Sequence, residues 1–350
     1  MKKFMFIILV VFTLQSCKTQ NNENLITFAK VYGYVKYFHP SDEATTIDWN
    51  LFAIYGVQEI EKCRTKDQLV KKLNELFNPI APSVRIISST NEPAYDLSIV
   101  TPGDTAGYRQ TFWQHRGVST GMINKSYQVY KSKRINRELN DTTGKLFDFT
   151  PEFGEIITKK IGEGIYCQVP IVLYCNDKST WPANDAKKLE LLHRNLQLIK
   201  EVNPGSSMFL GNIINIYNVL QHFYPYFDVV DVDWEKELGI ALTNAGNDKT
   251  IEDHQFTVMK FIATLKDGHA GINTEKEGSF SFSPPISWEW VEGKLVITKV
   301  FEEIPGVHVG DIVSEVDGLS PEKHFERFNQ LIGSPTKGFH DLITNQITLG

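Results

Sequence analysis

The sequence predicts an α+β multidomain chain: duplicated helical bundles flank a β-sandwich-like insert and lead into a small β-barrel capped by a helix. Three observations carry this reading. The stretch Val31-Tyr32-Gly33-Tyr34-Val35-Lys36-Tyr37-Phe38-His39-Pro40 aligns without gaps to Ile216-Tyr217-Asn218-Val219-Leu220-Gln221-His222-Phe223-Tyr224-Pro225, an offset of 185 residues (216 less 31). At the same offset Asp48-Trp49 recurs as Asp233-Trp234. Between the copies, and again after Gly278, apolar residues alternate with polar ones and turn signals, the period of strands rather than helices.

The first element is an address. Lys2 and Lys3 precede an apolar run from Phe4 to Leu14, and Gln15-Ser16-Cys17 comes next. A basic start, a short apolar run and a small residue before the cut make a secretory signal, and the run is too short to span a bilayer, which takes about 20 residues. Leu14-Gln15-Ser16-Cys17 is similar to a bacterial lipobox, which implies a lipid anchor on Cys17 and places the protein in the cell envelope. An ordinary secretory signal with an incidental cysteine is the plainer alternative. Residues 1–17 are thus expected to be signal and the polar stretch from Lys18 to Asn24 a tether.

The helical bundles follow from apolar periodicity. In the first (18–82), Ile26, Ala29, Val31 and Val35 recur at helical spacing and Pro40 stops the helix. Asp48 is a suitable N-cap for a helix with Trp49, Phe52, Ala53, Gly56 and Ile60 on one face, and Thr65 opens a third with Leu69, Leu73 and Leu76. The second bundle (184–277) starts with a helix from Asn184 to Val202. It then repeats the pattern with Trp234, Leu238, Ala241 and Leu242, and a last helix from Thr250 to Leu265. The aromatic clusters around Tyr32–Phe38 and Tyr217–Tyr226 are expected to be core, because aromatics at helical spacing mostly bury area. The insert (83–183) contains Arg85-Ile86-Ile87 and the run from Gly164 to Leu173. After it, Gly293 to Val300 reads as a strand, Val307 to Gly318 as strand and turns, and Pro321 to Leu331 as a helix.

Composition narrows the function. The chain has 350 residues, and at about 100–200 residues per domain two or three cores are expected. With 36 Lys+Arg against 42 Asp+Glu it lacks the basic excess of a nucleic-acid binder, and 12% aromatics exclude a disordered chain. Four cysteines do not make a disulfide scaffold. Cys167 and Cys175 lie on one extended stretch whose rise of about 3.3 Å per residue separates them too far to bridge. Cys63, Cys167 and Cys175 therefore read as buried thiols, and no metal spacing or organic cofactor is indicated.

Two stretches carry a resemblance. Leu265-Lys266-Asp267-Gly268-His269-Ala270 is similar to a Leu-x-Asp-x-His segment, and Val307 to Gly318 is similar to the Gly-Asp core of a PDZ-like domain. In this order, behind a secretory signal, they resemble the tail-specific, C-terminal-processing serine peptidases, including the tricorn-like branch, over residues 206–333. The resemblance implies peptide-bond hydrolysis by a serine nucleophile, with His269 as candidate base in the tricorn-like scheme and a lysine base in the other. It also implies a PDZ-like domain at 278–333 that takes a peptide as an added strand along Ile286-Ser287-Trp288. Where the family carries a Gly-rich carboxylate loop this chain has Ser283-Pro284-Pro285, and proline has no N–H to donate.

The nucleophile-bearing domain of that family comes after the PDZ-like domain. Here residues 334–350 read as the truncated start of it, so the nucleophile is expected to lie outside this chain. Two internal serines match short motifs. Gly117-Val118-Ser119-Thr120-Gly121 fits G-x-S-x-G beside His115, but the residues from Met122 to Tyr130 are strand-like, which predicts a hairpin. Ser334-Pro335-Thr336-Lys337 fits S-x-x-K, but reads better as an N-cap with proline at the first helical position. The readings carried forward are an envelope-anchored serine-type peptidase acting on peptide or protein, and a non-catalytic peptide- or partner-binding lipoprotein. A third, a sugar-binding sandwich using Trp113 and Trp181, lacks an ordered aromatic platform.

Overall fold

A computed structural model describes residues 2–118, 130–137, 145–201, 205–272 and 284–348, with side chains from residue 20 onward. It is a mixed α/β protein with ten α-helices and small antiparallel sheets among the described residues, none closed into a barrel. The chain divides into two compact units, Met1–Pro225 with Trp234–Asn247, and Tyr226–Asp233 with Asp248–Gly350.

In the first unit the helices are α1 (Lys2–Phe38), α2 (Asp42–Thr46), α3 (Trp49–Ile60) and α4 (Lys66–Phe77). The strands β1 (Arg85–Ser88), β2 (Arg109–Arg116), β3 (Lys131–Arg137), β4 (Ile156–Gly162), β5 (Ile165–Pro170) and β6 (Val172–Cys175) come next. Then come α5 (Ala186–Glu201), α6 (Ser206–Phe223) and α7 (Trp234–Ala245). The second unit holds α8 (Ile251–Ala263), β7 (Ile286–Val291), β8 (Lys294–Val300), α9 (Pro321–Asn329) and α10 (Lys337–Ile347). The unit boundary falls inside the second helical copy: α6 and α7 share a body with the first copy, and α8 goes with the strands.

The repeat governs the helix boundaries. α1 and α6 end at the equivalent Phe38 and Phe223, α3 and α7 coincide from Trp49–Ile60 to Trp234–Ala245, and Thr65 and Thr250 both cap the next helix. The Asp48 carboxylate accepts from the amides of Asn50 and Leu51, and Thr250 with Asp253 closes a capping box. Within each copy the same aromatics meet: Tyr32 stands edge-on to Trp49 at 5.1 Å, and Tyr217 stacks on Trp234 at 5.8 Å.

The copies share one core. α1 packs on α6 and α7, and α3 on α6, so each copy covers the other's apolar face. Within the first copy Phe28, Tyr32, Phe52 and Phe77 are fully buried and touch one another edge-on or tilted, contacts worth about 0.5–1.5 kcal/mol each beyond the area they bury. Helix approach is set by glycine. A Cβ on Gly33 would lie 1.8 Å from Asn218 Oδ1 and 2.6 Å from His222 Nε2, and one on Gly211 would press on the backbone of α3.

The insert forms two three-stranded antiparallel sheets, ordered β1-β5-β4 and β3-β2-β6. The chain crosses from one to the other between Pro170 and Val172, so Cys167 and Cys175 stand in different sheets, as buried free thiols like Cys63. The first sheet lies against α1 and α4, where Asn74 exchanges hydrogen bonds with the backbone of Ile86. The second has its own core of Phe112, Ile135 and Val172.

In the second unit the expected barrel is an open arrangement. β7 pairs with β8, and residues 310–313 return along the other side of β8, with Val313 N–H donating to Leu295 O at 2.8 Å. Trp288, Leu295 and Phe325 form its core under α9. The cap expected at Ser334 belongs instead to Thr336, which opens α10, because the Ser334 hydroxyl donates to Thr336 O.

Replacing Gly33 with alanine is expected to lower unfolding stability by about 1–3 kcal/mol, since the new methyl group meets the Asn218 carboxamide, held by Ala29 O and Ile214 O, and the packed His222 ring. Gly103→Ala, where a Cβ meets nothing within 4 Å, is expected to stay within about 0.5 kcal/mol of the parent in the same denaturant titration.

Candidate functional site

The Leu-x-Asp-x-His segment is the turn that ends α8. Leu265 is fully buried and anchors it, Lys266 takes a left-handed conformation (φ 52°), and the Asp267 carboxylate accepts the backbone N–H of His269 at 2.9 Å. The His269 ring is fully solvent-exposed, with Nδ1 3.5 Å from that same carboxylate. Gly268 lies under the Phe339 ring, and Gly333 sits against the backbone of Asp267, so this turn and the Ser334 loop are neighbours. The Ser334 hydroxyl is directed at Thr336, and among the described residues no serine hydroxyl is hydrogen-bonded to His269. The pair available here is Asp267–His269, an imidazole open to solvent beside a carboxylate that its own backbone N–H engages.

The candidate peptide strand is β7. Ile286 stands opposite Val300, Ser287 opposite Lys299, and Trp288 opposite Ile297 after a bulge. Its far edge pairs with no strand among the described residues. Such an edge offers a row of backbone donors and acceptors to an incoming chain. Trp288 is buried, and its indole N–H has no hydrogen-bond partner among the described residues. Apolar side chains stay exposed in the same unit, notably Phe301 (66%), Val309 and Ile312. Pro285 O accepts from Phe301 N–H, so the prolines before β7 tie its start to β8.

Three histidines of the first unit to which the sequence assigned no role have the most perturbed surroundings. His39 is fully buried, 2.9 Å from Ser41 Oγ through Nδ1 and 2.8 Å from Ser83 Oγ through Nε2. The Ser41 hydroxyl donates to Ile80 O, so it accepts from Nδ1–H, and Nε2 accepts from Ser83. A neutral ring suits the two hydroxyls, and burial pushes its pKa down to about 3. His222 packs edge-on against Tyr34, Tyr37 and Phe38, and burial, with His115 nearby, lowers it to about 4.

His115 makes the arrangement closest to a nucleophile and base. Its Nε2–H donates to the Tyr37 carbonyl, which leaves Nδ1 to accept from the exposed Ser132 hydroxyl at 2.8 Å. Burial lowers its pKa, so the ring is a neutral proton acceptor. An acyl-transfer centre also requires donors aimed at the oxyanion, and Ser132 lies in an ordinary ladder position opposite His115. The contact is a cross-strand polar pair. The β2–β3 pairing from Arg116↔Lys131 onward makes Gly117 the start of a hairpin connection, while Ser119 lies outside the described residues. The only advance signal was the apposition of His115 and Gly117 in sequence, which pointed at Ser119 rather than Ser132.

Cys17 falls within the part of α1 before residue 20, where side chains are not described, and among the described residues no helix is long and apolar enough to cross a membrane. Among the same residues no group of three or more His, Cys, Asp or Glu side chains could hold a metal ion. Trp113 stacks on His115 at 5.5 Å and donates to His39 O, and neither it nor Trp181 belongs to an exposed aromatic row. Compared with known proteins, the chain matches no family model and no curated protein.

The buried imidazoles set a pH dependence. Unfolded, His39 and His222 take up protons near the ordinary value of about 6.5; folded, they resist protonation to about 3 and about 4. The unfolded state therefore binds more protons as pH falls below about 6.5, and stability is expected to fall from there towards pH 4. Denaturant midpoints measured across that range should show the loss, and His39→Gln should flatten its slope even if it lowers the midpoint at pH 7.

Proposed function

We propose that the chain is the peptide-holding part of an envelope-anchored serine-type peptidase of the tail-specific family, lipid-anchored through Cys17. The observation that carries this reading is the order of parts along the second unit. A helix ends in an Asp-x-His turn, an open-edged strand pair comes after it, a Gly-Asp turn returns along β8, and a helix covers the core. The first unit's two three-stranded sheets suit a sandwich-like insert, and the open edge of β7 suits a PDZ-like domain lacking a closed barrel.

In this reading the peptide adds as a strand beside Ile286-Ser287-Trp288, its backbone meeting the free edge of β7. With prolines in place of a carboxylate loop, the grip is on an extended segment more than on a free terminus. His269, exposed beside Asp267, is the candidate base for a serine hydroxyl that the described residues do not supply. The mechanism then takes the ordinary course: the hydroxyl attacks the amide carbon, its proton passes to the imidazole, and the imidazole returns it to the departing amine. The second reading, a non-catalytic peptide-binding lipoprotein, is favoured by the absence of a serine hydrogen-bonded to His269 among the described residues.

Extended peptides with apolar side chains should shift the fluorescence of Trp288 and Trp290 on titration. The same peptides N-methylated at alternate positions should bind at least about tenfold more weakly, because strand addition depends on main-chain hydrogen bonds. Binding indifferent to N-methylation would remove the strand-addition account. A serine-directed phosphonate is expected to leave this chain unlabelled; labelling of Ser119, Ser132 or Ser334 would place a nucleophile within it. Reading the coding sequence past codon 350 separates the two readings, since an open frame with a serine among glycines supports the peptidase and a stop codon supports the binding lipoprotein.

A further inference from the structure

The repeat makes two equivalent polar places where α1 crosses α6, and they are filled differently. Lys30, Tyr32, Gly33, Lys36 and Tyr37 of the first copy correspond to Asn215, Tyr217, Asn218, Gln221 and His222 of the second. In the first place the gap is plugged. The Tyr32 hydroxyl donates to Asn215 Oδ1 at 2.5 Å, and Lys36 Nζ donates to the same oxygen at 3.0 Å and to the Tyr32 hydroxyl at 3.2 Å. That ammonium lies 5.1 and 5.2 Å from the centres of the Tyr32 and Tyr37 rings, and burial pulls its pKa down to about 8.

In the equivalent second place the plug is gone. Gln221 replaces Lys36, and Lys30, in the position of Asn215, turns to the Glu235 carboxylate at 2.6 Å. A cavity of about 180 Å³ remains, lined by Lys30, Lys160, Glu235, Gln221, His222 and Asn218, with the rings of Tyr34 and Tyr217 as walls. We propose that this cavity between the repeats binds a free α-amino acid, its carboxylate on the Lys30 and Lys160 ammonium groups and its ammonium on Glu235.

Three features select that ligand. The volume is below the roughly 300–1,000 Å³ of pockets for drug-sized molecules, so the occupant is small. Lys160 projects from the edge of β4 and has no carboxylate partner among the described residues, so the cavity carries one uncompensated positive charge for a carboxylate. Glu235 shares the cavity and disfavours a plain anion, as the two lysines disfavour a plain amine; a zwitterion meets both signs. His222 adds a neutral imidazole at the wall and does not alter this balance at neutral pH. The site lies in the first unit and is independent of the β7 edge, so its failure would leave the peptidase reading as it stands.

Calorimetric titration of the purified chain with each of the twenty amino acids, and with acetate and methylamine as single-charge controls, tests the proposal. At least one amino acid should bind with a Kd of about 1 mM or tighter while neither control does. Lys160→Ala and Glu235→Gln should each weaken it by at least about tenfold, the cost of one charge-assisted contact. Gln221→Trp, which fills the cavity with an uncharged side chain at an exposed position, should abolish binding while the chain remains folded. The proposal is overturned if no amino acid binds at about 10 mM, if acetate binds as well as the best of them, or if folded Gln221→Trp binds like the parent.

Discussion

Two helices from different copies can share a core only if their backbones come close, and at the crossing of α1 and α6 that closeness depends on one missing methyl group. Gly33 leaves room for the Asn218 carboxamide, whose Nδ2 donates at 2.9 Å to both Ala29 O and Ile214 O and so ties the two helices together. Much else rests on this contact. With the helices at that separation Tyr32 of α1 reaches Asn215 of α6, and the polar groups that remain at the crossing must find partners or leave a gap.

The helical part of this fold is legible in sequence because its determinants are local. Asp48, Thr65 and Thr250 cap helices where expected, since a cap depends on a side-chain oxygen and the next three amides and on nothing farther away. The ungapped offset carries over to the helix ends for the same reason. Non-local features were less visible. No periodicity indicates that the sheet β1-β5-β4 lies against α1 and α4, because a strand covered by helices and a strand covered by another sheet show the same alternation. The step from Pro170 to Val172 that puts Cys167 and Cys175 in different sheets likewise leaves the extended character of the stretch unchanged. At Ser334 two capping residues competed two positions apart, and Thr336 took the helix while Ser334 bonded to its carbonyl.

The candidate sites divide along the same line. The Asp267–His269 turn was visible because both residues fall in one short segment, and Ile286-Ser287-Trp288 because strand character is local. The histidines with the most perturbed environments were not: His39 meets Ser83 across 44 residues and His115 meets Tyr37 across 78. Their burial follows from folding of the insert onto the first helical copy, which no spacing records. Burial also decides their chemistry. An imidazole held neutral by lost hydration is a structural hydrogen-bonding group in His39, where both nitrogens are satisfied by hydroxyls, and a proton acceptor in His115, where one partner is exposed.

Divergence between the copies concentrates where the helices cross, and the reason is energetic. Tyr32, Phe38, Pro40, Asp48 and Trp49 recur identically in the second copy, where Tyr217 and Trp234 are buried against each other and Phe223 ends α6. Gly33 and Asn218 cannot both be glycine without losing the carboxamide that ties α1 to α6, nor both be asparagine without collision, so asymmetry at that pair is built into any tight crossing. Once the pair is unequal, its neighbours experience different surroundings. Lys36 can bury its stem over two tyrosine rings and end on Asn215, whereas an equivalent lysine at 221 would face Lys30 in Asn215's place, two ammonium groups competing for one Glu235. Gln221 removes that repulsion but does not reproduce the plug. The cavity left at the second place is therefore a consequence of how a duplicated helix pair must break its own symmetry to pack, and its charged lining is what that break leaves within reach of a small molecule.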